Sequence, residues 1–200
     1  KGVIVNDFKP MELLKEYEKI VNAVSVLTEE KFFLGSPEYL KEASQNSDLP
    51  LLRKDFIIDE IQIYEAKILG ASAILLICAI LTIDEIKNFS AIAKSLDLDV
   101  LLETHDEKEM KMAIESDADI IGINNRNLST FELTIDTTLN LLPMIKKRKV
   151  IVSESGFHTA EDIAKLKGTR VNAILVGESF MRTDNIEKKA QEFRNNFMGV

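Results

Sequence analysis

The sequence predicts an α/β protein, a (β/α)8 barrel of the TIM type that lacks its first strand and its leading helix. Short, continuously apolar segments alternate with longer segments of helical period, which is typical of parallel strands covered on both faces. Every second strand opens with a similar tetrapeptide, as repeating interior layers of a closed barrel would require. Only seven strands can be counted, and eight are needed to close such a barrel.

The predicted strands are apolar segments of four to six residues. They cover residues 23–27, 51–54, 73–78, 100–103, 120–123, 150–153 and 173–176, and the similar tetrapeptides are residues 21–24, 71–74, 117–120 and 171–174. Counted along a complete barrel, these are strands two to eight of one domain that spans residues 1–200. The rival interpretation, an open seven-stranded sheet, lacks the glycine-rich dinucleotide loop that would support it.

The intervening segments carry helix start and stop signals. Ser36, Thr82, Asp106 and Thr159 are predicted N-caps, and Gly70 and Gly168 stand where helices should end. A helix-like segment at 10–20 opens the chain, and no strand precedes it. We therefore expect an open edge between strands two and eight.

Composition limits the function. The 200 residues are 46% hydrophobic, enough for one core, and the net charge of −8 argues against a nucleic-acid partner. The sequence shows neither a signal peptide nor an apolar run of membrane length, so we expect a cytoplasmic protein without a membrane partner. Cys78, His105 and His158 are too few for a clear metal site, and no metal or other cofactor is predicted.

Four polar residues directly follow apolar strands: Lys54, Glu103, Asn124 and Glu154. Barrel enzymes place their active sites at the carboxyl ends of the strands, so these side chains should share one mouth. A lysine that faces carboxylates can donate a proton while a carboxylate accepts one. Each residue alone is better explained as a solvated rim residue, but four together favour a catalytic site.

Other residues near the strand ends are less specific. Arg53, Asp55 and Arg126 fit a site and structural salt bridges equally well. Phe32, Phe33 and Phe56 could stack on a ring-bearing substrate, although ordinary packing explains each one better. His105 and His158 are predicted to start helices rather than to act as catalysts. Ser155-Gly156 and Gly177–Ser179 follow the last two strands, where barrel loops commonly bind phosphate through backbone N–H groups.

These motifs together resemble the indole-3-glycerol-phosphate synthases over nearly the whole chain. The matching segments are 25–28, 33–36, 52–56, 70–77, 102–106, 121–128, 153–156 and 175–182, of which 121–128 is the most specific. That family converts 1-(2-carboxyphenylamino)-1-deoxyribulose 5-phosphate to indole-3-glycerol phosphate, CO2 and water in tryptophan biosynthesis, without a cofactor. The resemblance implies a carbon–carbon lyase, with a phosphorylated small molecule as substrate and other tryptophan-pathway enzymes as candidate partners.

The resemblance also implies roles for single residues. Lys54 resembles the general acid of ring closure, and Glu103 its partner carboxylate. Asn124 and Glu154 resemble residues that line the pocket and orient the substrate. The remaining matches are substrate-binding (Phe33, Phe56, Leu75, Arg126, Leu128 and Ser155) and phosphate-binding (Gly156, Phe157, Gly177 and Glu178).

The chain departs from the family at two places. Phe157 stands where an aliphatic residue is usual, a mild change if phosphate contacts only the backbone. Lys1-Gly2 resembles the end of a family segment whose preceding strand carries a Glu and a second active-site Lys, and these are expected to be missing. Two alternatives remain. One is a related barrel such as a phosphoribosylanthranilate isomerase, which needs a different acid–base pair, typically Cys and Asp; Cys78 is expected to lie inside a strand rather than at its end, which counts against it. The other is an inactive truncated barrel.

Overall fold

The computed structural model describes residues 8–127 and 130–198 and contains one parallel sheet of seven strands. The strands follow one another in chain order: β1 (Val24–Leu27), β2 (Leu51–Lys54), β3 (Ala73–Ile77), β4 (Asp99–Thr104), β5 (Ile120–Asn124), β6 (Val150–Glu154) and β7 (Ala173–Leu175). Each strand begins and ends within one residue of its predicted bounds. The parallel α/β architecture is confirmed.

Helices connect the strands: α1 (Pro10–Tyr17), α2 (Pro37–Asn46), α3 (Ile61–Ile68), α4 (Ile83–Ser95), α5 (Glu107–Glu115), α6 (Asp136–Leu141), α7 (Ala160–Ala164), α8 (Glu178–Met181) and α9 (Ile186–Met198). The four predicted N-caps all accept a backbone hydrogen bond at the start of a helix. Thr82 and Thr159 form capping boxes with Glu85 and Asp162. Gly70 ends α3 with a positive φ of 86°, a conformation that glycine adopts without strain.

The sheet separates two hydrophobic clusters. The outer cluster lies between the strands and the surrounding helices. The inner cluster contains Leu52, Leu75, Ile77 and Leu101, packed by Phe56, Ala73, Ile120, Val152 and Leu175. Because side chains alternate along a strand, the inner cluster identifies which residues point into the curled sheet. Lys54, Glu103, Asn124 and Glu154 belong to this inward set, at the carboxyl ends above the apolar layers.

Within the described ranges, β1 pairs with β2 alone and β7 pairs with β6 alone, so the curled sheet has two edges there. The helices next to these edges contact each other. The Tyr17 and Phe180 ring centroids are 6.1 Å apart, and the Arg194 guanidinium donates a hydrogen bond of 2.8 Å to the Ile20 carbonyl. These contacts link α1 to the last two helices. None of the helices in the described ranges is long and apolar enough to span a membrane.

Candidate active site

A buried ion pair lies at the carboxyl ends of β2 and β4. Lys54 Nζ is 3.5 Å from Glu103 Oε2, and the side chains are 19% and 4% exposed. Glu103 is in register with Gly122 on β5, and Asn124 is in register with Glu154 on β6. Adjacent strands therefore bring the four residues predicted for the site to one end of the curled sheet. β4 continues one residue beyond Glu103, so this carboxylate lies inside the strand end rather than after it.

His105 also belongs to this cluster, which the sequence did not predict. Its Nε2 lies 3.1 Å from Glu103 Oε1, and its Nδ1 lies 2.9 Å from Glu109 Oε2. The Nε2 contact is an ion pair without hydrogen-bond alignment, whereas Nδ1 and the His105 backbone N–H both bond to Glu109. Two sequence spacings are consistent with these contacts. His105 is two positions from Glu103, and residues two apart share a strand face; Glu109 is four positions from His105, one helical turn away.

Glu103, Glu154 and His105 have strongly shifted pKa values. Burial opposes ionisation of Glu103, but His105 and Lys54 outweigh it and lower the pKa of Glu103 to about 2. Burial and the negative charge of Glu103 raise the pKa of Glu154 to about 8. Burial disfavours the imidazolium of His105, but Glu103 and Glu109 outweigh it and raise the pKa of His105 to about 9. At neutral pH the cluster therefore holds one ionised carboxylate beside one protonated carboxyl.

This arrangement has the parts of an acid–base site. The Lys54 ammonium and the protonated Glu154 can donate protons, and the Glu103 carboxylate can accept one. Asn124 is 9% exposed and accepts a hydrogen bond of 3.0 Å from the Arg126 backbone N–H through Oδ1, which fixes the chain as it leaves β5. Asn124 is thus held in a defined orientation beside the two carboxyl groups.

Aromatic side chains form one wall beside Lys54. The Phe33 and Phe56 ring centroids are 4.8 Å apart, and Lys54 Nζ lies 5.8 Å from the centroid of Phe33. Phe32 contacts Phe56 edge-on at 6.0 Å but is 78% exposed. Glu29, which the sequence did not predict to have a role, shapes this loop. Its carboxylate accepts hydrogen bonds from the backbone N–H groups of three residues, 31 to 33.

Three other residues predicted for the pocket are differently placed. Leu75 is fully buried in the inner cluster, in register with Leu101 and therefore below Glu103. Arg126 is half-buried after β5, where it forms an isolated bridge with Leu133. Leu128 lies outside the described residues.

The loops after β6 and β7 are joined to each other. Ser155 and Gly156 have φ angles of 67° and 86°, and Asn125 donates a hydrogen bond of 3.1 Å to the Ser155 carbonyl. The Ser179 hydroxyl, in α8, donates to the Phe157 carbonyl, which links the two loops predicted to bind phosphate. Phe157 is 2% exposed, so its side chain is not available to a ligand.

Gly177 and Glu178, which follow β7, differ in exposure. Gly177 is exposed directly before α8, and a Cβ there would meet nothing within 4 Å. Glu178 is half-buried and pairs with Arg182 at 3.0 Å.

Arg53 and Asp55, which the sequence left undecided, form a structural network. Arg53 points away from the interior and is 3% exposed. Its Nη2 lies 2.9 Å from Asp55 Oδ2 and 2.6 Å from Glu65 Oε2. Thr28 adds a hydrogen bond of 2.7 Å to Asp55. This network ties β2 to α3 and to the end of β1, on the opposite face from Lys54.

Cys78 does not lie inside a strand, contrary to the prediction. β3 ends at Ile77, and Cys78 opens a short 3-10 turn. The thiol is buried, and burial, with Glu109 and Glu103 nearby, raises the pKa of Cys78 to about 12, so it is a poor nucleophile or acid–base group at neutral pH. Among residues 8–127 and 130–198, no group of three His, Cys, Asp or Glu side chains is arranged to hold a metal ion.

A curled parallel sheet with buried ionisable groups at its carboxyl end defines a β/α-barrel enzyme. The family model described as indole-3-glycerol phosphate synthase matches residues 1–193. The chain therefore belongs to the indole-3-glycerol phosphate synthase family.

Relatives in sequence carry the same description. The indole-3-glycerol phosphate synthase of Alkaliphilus metalliredigens is 50% identical over 196 residues, which cover 98% of this chain and 75% of that protein. The enzyme of the same name from Acetivibrio thermocellus is 49% identical over 195 residues, which cover 97% of this chain and 75% of the relative.

Solved structures of more distant proteins share the fold. The 3-hexulose-6-phosphate synthase of Salmonella typhimurium superposes with a TM-score of 0.76 at 15% identity, covering 98% of this chain and 96% of that one. The 3-keto-L-gulonate-6-phosphate decarboxylase of Vibrio cholerae superposes with a TM-score of 0.71 at 15% identity, covering 96% and 94%. At this identity the likeness concerns the fold alone.

Proposed function

We propose that this chain is a carbon–carbon lyase that catalyses the indole-3-glycerol-phosphate synthase reaction. The substrate is 1-(2-carboxyphenylamino)-1-deoxyribulose 5-phosphate, and the products are indole-3-glycerol phosphate, CO2 and water. Family membership supports the reaction. The observation that carries the assignment of roles is the pairing of Lys54 with an ionised Glu103 beside a protonated Glu154.

Ring closure is the first step. The ring carbon that bears the carboxylate attacks the ketone carbon of the sugar, assisted by the anilino nitrogen lone pair. The ketone oxygen gains negative charge, and the Lys54 ammonium donates its proton to that oxygen. Loss of CO2 then leaves its bonding electrons in the ring and restores aromaticity. Phe33 and Phe56 form the wall against which the aromatic ring of the substrate stacks.

Dehydration completes the indole. The new hydroxyl group leaves as water when an acid protonates it, and the neighbouring methylene carbon loses a proton to a base. Glu154 is the group that holds a proton at neutral pH, and Glu103 is the group that lacks one. We assign the acid role to Glu154 and the base role to Glu103. Asn124 orients the sugar hydroxyls with its amide group.

The substrate phosphate is assigned to the joined loops after β6 and β7. Gly156 permits close approach of a backbone N–H, and Gly177 leaves open space before α8. The backbone groups of Ser155, Phe157 and Glu178 complete this end. Arg126, Leu75 and Leu128 are assigned to the pocket wall by their match to the family. The proposal also includes a cytoplasmic location and partners among the tryptophan-pathway enzymes.

The test is an assay of indole fluorescence with this 200-residue chain and the carboxyphenylamino substrate. Lys54→Ala should abolish the signal. Lys87→Ala is the matched control, because Lys87 forms a similar ion pair with Glu115 at 3.4 Å on the outer surface of the barrel. We expect Lys87→Ala to keep the activity.

A second version of the assay adds a family segment with a first strand ahead of Lys1. Activity in either version that depends on Lys54 supports the proposal. A folded chain that is silent in both versions, or that is equally active without Lys54, would contradict it and favour a barrel without this catalytic role.

A further inference from the structure

The contacts of His105 give it a role that depends on the proposed function. We infer that His105 is a positioning residue for the reaction: its imidazolium, fixed by Glu109, holds Glu103 as a carboxylate opposite Lys54 and leaves the shared proton of the carboxyl pair on Glu154. His105 itself does not reach the substrate side of the cluster, because its two ring nitrogens face Glu103 and Glu109.

The contacts of the His105 ring favour protonation of both ring nitrogens. Nδ1 donates to Glu109 Oε2 at 2.9 Å, while Nε2 faces Glu103 Oε1 at 3.1 Å. A neutral imidazole has one nitrogen lone pair, which would point at one of these two carboxylate oxygens and repel it. The His105 side chain is 8% exposed, so solvent screens neither contact. The doubly protonated ring is the form that places no lone pair against either carboxylate.

Charge balance across the cluster agrees with this form. Lys54 and His105 supply two positive charges, and Glu103 and Glu109 supply two negative charges. Glu154 stays neutral, because a third buried carboxylate would have no counter-charge. If the charge on His105 were removed, two carboxylates and Glu154 would share one lysine, and the proton would no longer be confined to Glu154.

The other groups around His105 leave this balance unchanged. Cys78 packs nearby after β3, and burial raises the pKa of its thiol, so it stays neutral. Asp106 is the N-cap of α5, where its side chain accepts a hydrogen bond from the Glu109 backbone N–H. Glu109 is thereby fixed at both its backbone and its carboxylate, which gives His105 a rigid support.

The first measurement is independent of catalysis. The chain has two histidines, so nitrogen-15 NMR of histidine-labelled protein resolves both rings, and a His158→Gln sample assigns them. We expect the His105 ring to titrate near pH 9 and to stay doubly protonated at pH 7. Glu109→Gln keeps an acceptor for the backbone N–H of His105 but removes the charge, and it should lower this midpoint. A His105 midpoint at or below about 6.5, the ordinary value, would overturn the inference.

The second measurement is the pH profile of kcat/KM. In His105→Gln the pKa of Glu103 should rise, so the acid limb of the profile should move up by about one pH unit or more. Glu109→Gln should move it in the same direction by less, and kcat should fall more than KM changes. A folded His105→Gln protein with an unchanged acid limb would show that His105 has only a structural role before α5. If the folded chain is inactive both alone and with the added first-strand segment, the proposed function fails, and the NMR titration still decides the state of His105.

Discussion

Gly122 and Glu154 occupy the same space from two neighbouring strands. Gly122 on β5 has no side chain, and the Glu154 carboxyl on β6 fills the volume above it. A Cβ atom at position 122 would collide with Glu154 Oε1. Glu154 is 1% exposed, so its carboxyl has little room to move away. Glycine at position 122 is therefore a condition for the buried, protonated state of Glu154.

Gly122→Ala should reduce activity more than stability. The added methyl group displaces the Glu154 carboxyl from its position beside Glu103, and overpacking of this kind costs about 1–3 kcal/mol. The free energy of unfolding from urea titration and kcat/KM are the measurements. Gly168→Ala is the matched control, because Gly168 has a φ of 75° and open space around it. That control should lose about 1 kcal/mol by backbone strain and keep its activity. An active Gly122→Ala protein would contradict the placement of Glu154 in the site.

Substitutions of the adjacent residues Arg53 and Lys54 should have different effects: the first should reduce stability and the second should reduce activity. Arg53→Met leaves the buried Asp55 carboxylate without its positively charged partner, which costs about 3–5 kcal/mol. Lys54→Met removes the proposed proton donor on the opposite face, and activity should fall about 100- to 10,000-fold. Thermal unfolding and kcat/KM of the two variants test this pair. A stable Arg53→Met protein with impaired catalysis would reverse the assignment of the two faces.

Arg53 and Lys54 also show which features of the fold and of the site the sequence can predict. The strands and caps were predicted to within about a residue, because strands buried on both faces are apolar throughout and cap residues act on adjacent backbone. The four polar residues at the strand ends are predictable because each one directly follows a continuously apolar strand. A pair of adjacent charges such as Arg53-Lys54 gives no indication of which side chain points inward, so the structural role of Arg53 needed the fold.

The protonation states of Glu103 and Glu154 cannot be predicted from the sequence, for a different reason. Glu103 and Glu154 look alike as residues that follow apolar strands, yet their pKa values move in opposite directions. The difference comes from neighbours on other elements and from burial, which depends on the packed structure. The sequence predicts only a helix-start position for His105, because the contact of its ring with Glu103 depends on how the chain turns after β4.

Glu29 should control substrate binding through the loop that carries Phe33. Its carboxylate accepts three backbone hydrogen bonds, of 2.9, 2.6 and 3.0 Å, and these donors outweigh desolvation and lower the pKa of Glu29. Glu29→Ala releases the loop, so KM should rise several-fold more than kcat falls. Steady-state kinetics measure this split. Glu30→Ala, at the neighbouring exposed position, is the control and should have little effect. Equal KM values in the two variants would mean that Glu29 does not position the aromatic wall.

The raised pKa of Glu154 makes the stability of the protein depend on pH. Folding shifts the pKa of Glu154 from 4.5 to about 8, so between these values the native state holds a proton that the unfolded chain has released. The free energy of unfolding then falls as pH rises through this window. Glu154→Gln cannot ionise and does not have this contribution. The variant should therefore gain stability relative to the parent chain as pH is raised from 4.5 to 8.

Urea titrations of both proteins at pH 5 and pH 8 measure this difference. Glu42→Gln, on the exposed face of α2, controls for the general effect of replacing a carboxyl with an amide. His105 titrates in both proteins, so its own loss of stability as pH rises from 6.5 towards 9 largely cancels in the comparison. A stability difference between Glu154→Gln and the parent chain that stays constant from pH 5 to pH 8 would mean that Glu154 is ionised in the native state. The acid role in dehydration would then pass to Lys54, whose Nζ lies 3.5 Å from Glu103 Oε2, because the His105 ring is held between Glu103 and Glu109.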